Sequence, residues 1–139
     1  MQSALSRVGL ALALVGLSTP TSLHADPVRI PPHSKYDHSP IQKHFWFALV
    51  GYYTFEKCGS DGSVAPADYD FEINRVLGLF MGSLGARGED PGAPVKDTAQ
   101  DARRFVESID CGPDAKALVR DGYVIAREFE ARTGWKETW

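Results

Sequence analysis

The chain has 139 residues, of which 24% are charged and 43% hydrophobic, and its formal net charge at pH 7 is −3. This length is typical of one domain. Because the charge is mildly acidic and well mixed, the sequence gives no basis for a nucleic-acid partner or for binding to an anionic membrane.

The first 25 residues have the composition of a secretory signal peptide. Arg7 is the one charge before a short apolar stretch, Val8 to Leu17, and Ala25 occupies a plausible cleavage position. The apolar stretch is about half as long as a membrane-spanning helix. We predict that residues 1–25 are removed and that the mature protein is periplasmic or secreted, without stable membrane insertion. Retention of this segment as an uncleaved anchor is the alternative.

Residues 26–38 form a proline-rich segment ahead of the first predicted helix. Pro27, Pro31 and Pro32 disfavour a helix and restrict the residues before them to extended conformations. We predict an extended arm, which either lies across the domain or remains mobile, followed by a helical domain over residues 39–139.

Residues 40–57 are predicted to form a central helix that is buried on nearly every side. Ser39 stands at the N-cap position, Pro40 lies in the first turn, and Gly59 ends the segment. The segment is too long for a typical strand, and its apolar residues recur at helical spacing. One stripe consists of Ile41, Phe45, Leu49, Tyr52 and Tyr53, and a second of Trp46, Val50 and Tyr53.

A second helix is predicted over about 67–86, after Pro66. Its inward face is predicted to consist of Phe71, Ile73, Val76, Leu77, Phe80, Met81 and Leu84. Glycine recurs in it at Gly78, Gly82 and Gly85, at steps of three and four residues. Each glycine weakens an isolated helix by about 1 kcal/mol relative to alanine. We interpret these glycines as points where another helix packs closely.

The third and fourth helices are predicted over about 96–110 and 113–132. Thr98 with Asp101 resembles a capping box at the start of the third helix. Gly134 follows the fourth helix as a stop signal. The sequence therefore predicts an all-α fold of four helices.

Cys58 and Cys111 are the two cysteines of the chain, and each precedes a glycine at the end of a predicted helix. An even pair of cysteines in a small exported domain usually forms a disulfide. We predict a Cys58–Cys111 bridge that joins the C-terminal ends of the first and third helices. Two separate buried thiols are the alternative.

The motifs of nucleophilic catalysis, phosphate binding and haem attachment are absent from the sequence. We therefore expect a non-enzymatic, cofactor-free exported module that binds a protein partner or a small apolar ligand. The alternative is a periplasmic metal-binding protein. His33, His38 and His44 lie within twelve residues of one another, and neutral imidazoles are good ligands for zinc or copper.

The aromatic residues of the first helix suggest a binding surface. Three narrow neighbouring helices are not expected to cover every side of it, so we predict self-association or partner binding through the edge formed by Trp46, Val50 and Tyr53. The alternatives are a ligand cavity between the helices and a helix that is entirely core. Trp135 and Trp139, in a polar tail, are a second predicted contact patch, and docking of this tail onto the protein's own core is the alternative.

Overall fold

The computed structural model describes residues 28–135. It contains five helices: α1 Pro40–Cys58, α2 Pro66–Ala86, α3 Gly92–Glu107, α4 Pro113–Arg127 and α5 Phe129–Thr133. No strand occurs in this range, so the predicted all-α fold is confirmed, although the predicted fourth helix is divided at Glu128. None of the helices between residues 28 and 135 has the length and hydropathy required to cross a membrane. The predicted signal peptide lies outside the described residues.

Helix α1 is the centre of the fold and contacts all four other helices. Its start is fixed by Ser39, whose Oγ accepts a hydrogen bond from the Gln42 backbone N–H at 3.3 Å. Its end is followed by Gly59, which adopts a φ of 74° that L side chains rarely take. Phe45, Trp46 and Phe47 are all buried, so successive residues on different sides of α1 are covered.

The start of α3 differs from the prediction. The helix begins at Gly92, because Pro94 falls in its first turn, where a missing N–H breaks no helical hydrogen bond. Thr98 is therefore interior to the helix and does not cap it. Its hydroxyl donates to the Pro94 carbonyl at 2.6 Å and accepts from Gln42 Nε2 at 3.1 Å, which ties α3 to α1.

The close helix approach lies between α1 and α4. A Cβ atom built on Gly51 would lie 2.7 Å from Gly122 Cα, closer than real Cβ contacts. Tyr69 reaches the same crossing from α2, and its hydroxyl donates to the Val119 carbonyl at 3.1 Å. Burial raises the pKa of Tyr69 above its ordinary value. The two glycines thus permit the largest helix–helix interface of the fold.

The predicted close approach of another helix does not occur within the described fold at Gly78 and Gly85 of α2. A Cβ atom on either residue would have no neighbouring atom within 4 Å. Both residues are exposed, so neither is a point of close packing within the described part of the chain.

The predicted disulfide is confirmed. Cys58 and Cys111 are bonded, with their Cα atoms 5.4 Å apart, and they join the ends of α1 and α3. Lys57 reinforces this junction. Its Nζ donates to the carbonyl oxygens of Val106 and Ile109, at 3.1 and 2.5 Å, and so ties the end of α1 to the chain at and just beyond the end of α3.

The arm lies across the helical body. Tyr36 is 1% exposed and stacks on His33, with the ring centroids 4.4 Å apart. Val28 and Ile30 pack against the same core. The described arm, residues 28–38, therefore contributes to the hydrophobic core and does not extend into solvent.

Candidate functional site

The histidine that packs most closely on the core is His33. Its Nδ1 accepts a hydrogen bond from the Lys35 backbone N–H at 3.2 Å, so Nε2 carries the ring proton and donates to Asp101 Oδ1 at 3.0 Å. Its ring also meets Trp46 edge-on, with the centroids 4.9 Å apart. Both ring nitrogens are thus engaged, and His33 fastens the arm to α3.

The other two arm-proximal histidines are not directed to the same point. His38 is exposed, while His44 Nδ1 lies 2.6 Å from the Pro40 carbonyl oxygen. Burial lowers the pKa of His44. Within residues 28–135, no group of three or more His, Cys, Asp or Glu side chains is placed to hold a metal ion. The three histidines therefore do not form the predicted cluster.

The predicted aromatic edge of α1 is not exposed. Trp46 is 1% exposed and Val50 0% exposed, so the prediction is wrong for these two residues. Trp46 is covered by His33 of the arm and by Phe105 of α3, whose ring centroid is 5.3 Å away. Part of this cover thus comes from the arm, which is not a helix. Tyr53 is half-buried beneath the Arg103 guanidinium, 4.0 Å from its ring centroid.

The predicted C-terminal patch is described only in part. Trp135 is half-buried and packs against the hydrophobic core. This is the docking that the sequence left open as the alternative to a contact surface. Trp139 lies outside the described residues.

A cavity of about 480 Å³ lies between the arm and the ends of α1, α2 and α3. Its lining mixes Lys35 and Arg87 with Asp97, and its apolar wall includes Ile41 and Leu84. Phe45, Trp46, Phe47, Tyr52 and Tyr53 do not line it. This cavity is therefore not the aromatic ligand site considered from the sequence.

The strongest candidate for a binding surface is the side of α2 that faces away from the core. Within residues 28–135, the large hydrophobic side chains that are exposed are Phe71, at 66%, and Met81, at 41%. Both lie on one face with four other exposed residues. We call this the α2 outer face: Ala67, Phe71, Asn74, Gly78, Met81 and Gly85.

The spacing of the α2 outer face is that of a helix-pairing seam. Its members follow one another at steps of four, three, four, three and four residues. This 3.5-residue period brings residues onto one side of a helix, where a second helix packs against them. Helix α2 also buries a separate apolar stripe that includes Tyr69, Val76 and Phe80. It therefore has two packing faces, one against the core and one exposed.

No charged residue belongs to the α2 outer face, and two of the charges beside it, Asp70 and Arg75, are paired within the protein. Tyr52 Oη donates to Asp70 Oδ1 at 2.5 Å, which raises the pKa of Tyr52 to about 12. Arg75 donates to Glu72 Oε2 at 2.9 Å and also pairs with Glu130. A second apolar surface can therefore approach this face without leaving either charge unpaired.

The predicted inward orientation is wrong for Phe71 and Met81, and Gly78 and Gly85 are exposed beside them. The sequence feature that indicates this second face is the 4-3-4-3-4 spacing from Ala67 to Gly85, which runs beside the core-facing stripe and not along it.

No protein-family model matches the chain. Searches of curated proteins and of solved structures give no significant match.

Proposed function

We propose that the protein is an exported, non-enzymatic interaction module that binds another protein chain through the α2 outer face. The observation that carries the proposal is the presence of Phe71 and Met81, both solvent-exposed, on a 3.5-residue seam free of charge. Burying a large apolar side chain contributes about 1.5–3 kcal/mol relative to leaving it exposed. These two side chains supply the anchors that a small interface needs.

Two further features support an exported setting. The Cys58–Cys111 disulfide is of the kind that persists in oxidising compartments. The composition of residues 1–25 is that of a cleaved signal peptide. The proposed site of action is therefore the periplasm or the extracellular medium.

Site-specific photo-crosslinking tests the function. A photoreactive phenylalanine analogue is placed at Asn74, in the middle of the α2 outer face, and as a matched control at Lys116, an exposed position on α4. In cells that produce the full chain, we expect a protein adduct from position 74 in the exported fraction and none from position 116. The adduct should disappear when Met81→Lys is added.

An equal yield at both positions, or an adduct that survives Met81→Lys, would contradict the proposal. The mass of the adduct identifies whether the captured chain is this protein or a different one. That distinction bears on the inference below and not on the proposed function itself.

A further inference from the structure

We propose that the α2 outer face binds a second copy of this chain, in an antiparallel helix pair related by a twofold axis. The inference rests on the proposed function and specifies its partner. A twofold interface uses the same patch on both copies, so that residue i meets residue j and residue j meets residue i. The order of residues along the seam satisfies this requirement.

The seam is symmetric in sequence about Val76. Phe71 and Met81 lie five positions before and five positions after it. In an antiparallel pair centred there, Phe71 of each copy lies level with Met81 of the other. Both exposed hydrophobic side chains of each copy are then covered at once, in sulfur–aromatic contacts that are themselves favourable.

The remaining seam positions fit the same register. Ala67 lies level with Gly85 of the second copy, and Asn74 with Gly78. Small residues let the two helix backbones approach, and Gly78 leaves space for the larger Asn74 beside it. A Cβ added to Gly78 or Gly85 meets nothing within 4 Å beyond the adjoining residues and backbone of α2, so the space beside both glycines is open to another molecule.

Charge does not oppose this pairing, although each copy carries a formal net charge of −3. The seam is uncharged. Of the charges beside it, Asp70 is hydrogen-bonded to Tyr52, and Arg75 is paired with Glu72 and Glu130. Asp68 lies at the end of the seam, level with the uncharged Leu84 of the second copy. The two α2 dipoles are antiparallel, which places the positive end of each helix beside the negative end of the other.

The extent of the seam predicts a weak dimer. From Ala67 to Gly85 it spans roughly 27 Å, at about 1.5 Å per residue. One helix pair of this length buries an area near the lower limit of specific interfaces, about 1,000 Å² in total. The association should therefore depend strongly on protein concentration.

Sedimentation equilibrium of the oxidised protein, up to about 1 mM, tests the proposal. We expect a monomer–dimer equilibrium that Phe71→Glu and Met81→Lys each weaken about tenfold or more, because each places a charge in an apolar contact. Lys116→Glu, an exposed charge reversal on α4, should leave the equilibrium unchanged. Circular dichroism should show unaltered helicity in all variants, since both seam side chains are exposed.

The variant that carries Phe71→Glu and Met81→Lys together tests the register. The twofold axis places the introduced carboxylate level with the introduced ammonium of the other copy, so the double variant should dimerise more tightly than either single variant. Its association should weaken with added salt, whereas that of the wild type should not.

A wild type that stays monomeric over this concentration range would overturn the second copy as partner. If position 74 then crosslinks a different protein, the proposed function still stands. Single variants that dimerise like the wild type would overturn the α2 outer face. A double variant no tighter than the single variants would overturn the antiparallel register.

Discussion

Adding one methyl group where α1 crosses α4 is the most direct test of how this fold is built. In Gly51→Ala, the new Cβ meets Gly122 Cα, at 2.7 Å, and the Leu118 carbonyl oxygen, at 2.8 Å, and it also clashes with the Tyr69 hydroxyl. Two of these three atoms are backbone, which cannot rotate away. The helices must therefore separate, or α1 must shift along its axis.

The expected loss of stability follows from three contributions. Overpacking a core costs about 1–3 kcal/mol, and a backbone-to-backbone clash belongs at the upper end of that range. Displacing Tyr69 from the Val119 carbonyl, now 3.1 Å away, removes a buried hydrogen bond that is worth about 1 kcal/mol. The higher helix propensity of alanine offsets about 1 kcal/mol of this loss in stability. The free energy of unfolding should fall by about 3 kcal/mol, and Tm by roughly 10 to 20 °C.

Thermal and urea unfolding followed by circular dichroism measure this difference, and Gly78→Ala is the matched control. The same methyl group on α2 meets no atom of its own chain within 4 Å, so only helix propensity acts and Gly78→Ala should stabilise the fold by up to about 1 kcal/mol. The two substitutions should thus have opposite signs. A Gly51→Ala variant as stable as the wild type would refute the close approach of α1 and α4.

Two other predictions concern the disulfide and one tyrosine that is hydrogen-bonded to a carboxylate. Replacing Cys58 and Cys111 by serine removes a crosslink between residues that are 53 apart in sequence, so the free energy of unfolding measured by urea titration should fall by about 4 kcal/mol. A loss below about 1 kcal/mol would contradict this estimate of the loop entropy. The hydrogen bond to Asp70 raises the pKa of Tyr52 to about 12, so this tyrosine should ionise at higher pH than an ordinary tyrosine in an ultraviolet absorbance titration. The substitution Asp70→Asn should lower the pKa of Tyr52 toward the ordinary value of about 10. Because the pKa of Tyr52 is raised in the folded state, this hydrogen bond stabilises the fold fully below about pH 10, and its contribution is lost as the pH rises through about 12. If Asp70→Asn leaves the titration of Tyr52 unchanged, the hydrogen bond does not form in solution.

The sequence was sufficient to predict the features that depend on local chemistry. Ser39 and Pro40 mark the start of α1 because capping and proline geometry act over a few residues. The Cys58–Cys111 pairing could be predicted because the chain has only two cysteines. The all-α fold class could be predicted from helical periodicity, because periodicity identifies helices without knowledge of which helices contact one another.

The error at Trp46 concerns a contact between segments that are distant in sequence, whereas the error at Thr98 concerns a local helix boundary. Trp46 was predicted to be exposed because the arm was not considered as cover, yet His33 packs on its ring. Thr98 resembled an N-cap, but Pro94 permits the helix to begin earlier. Proline patterns show where a segment cannot be helical, and they do not show what that segment covers.

Glycine illustrates the same limit most clearly. Gly51 and Gly78 both lie inside helices and both reduce helix propensity, so propensity alone cannot distinguish them. In the fold, the cost of Gly51 is offset by an interface that no larger residue permits, whereas Gly78 faces open space.

A helix face that only had to remain soluble would be more stable with alanine or a charged residue at positions 78 and 85. The described fold contains no contact that compensates for either glycine, and it leaves Phe71 and Met81 exposed beside them. Folding therefore accounts for the glycines of α1 and α4 but not for those of the α2 outer face. A requirement for close approach by another helix would account for the small and the large residues of that face together, and this is the reason for proposing that the face binds another chain.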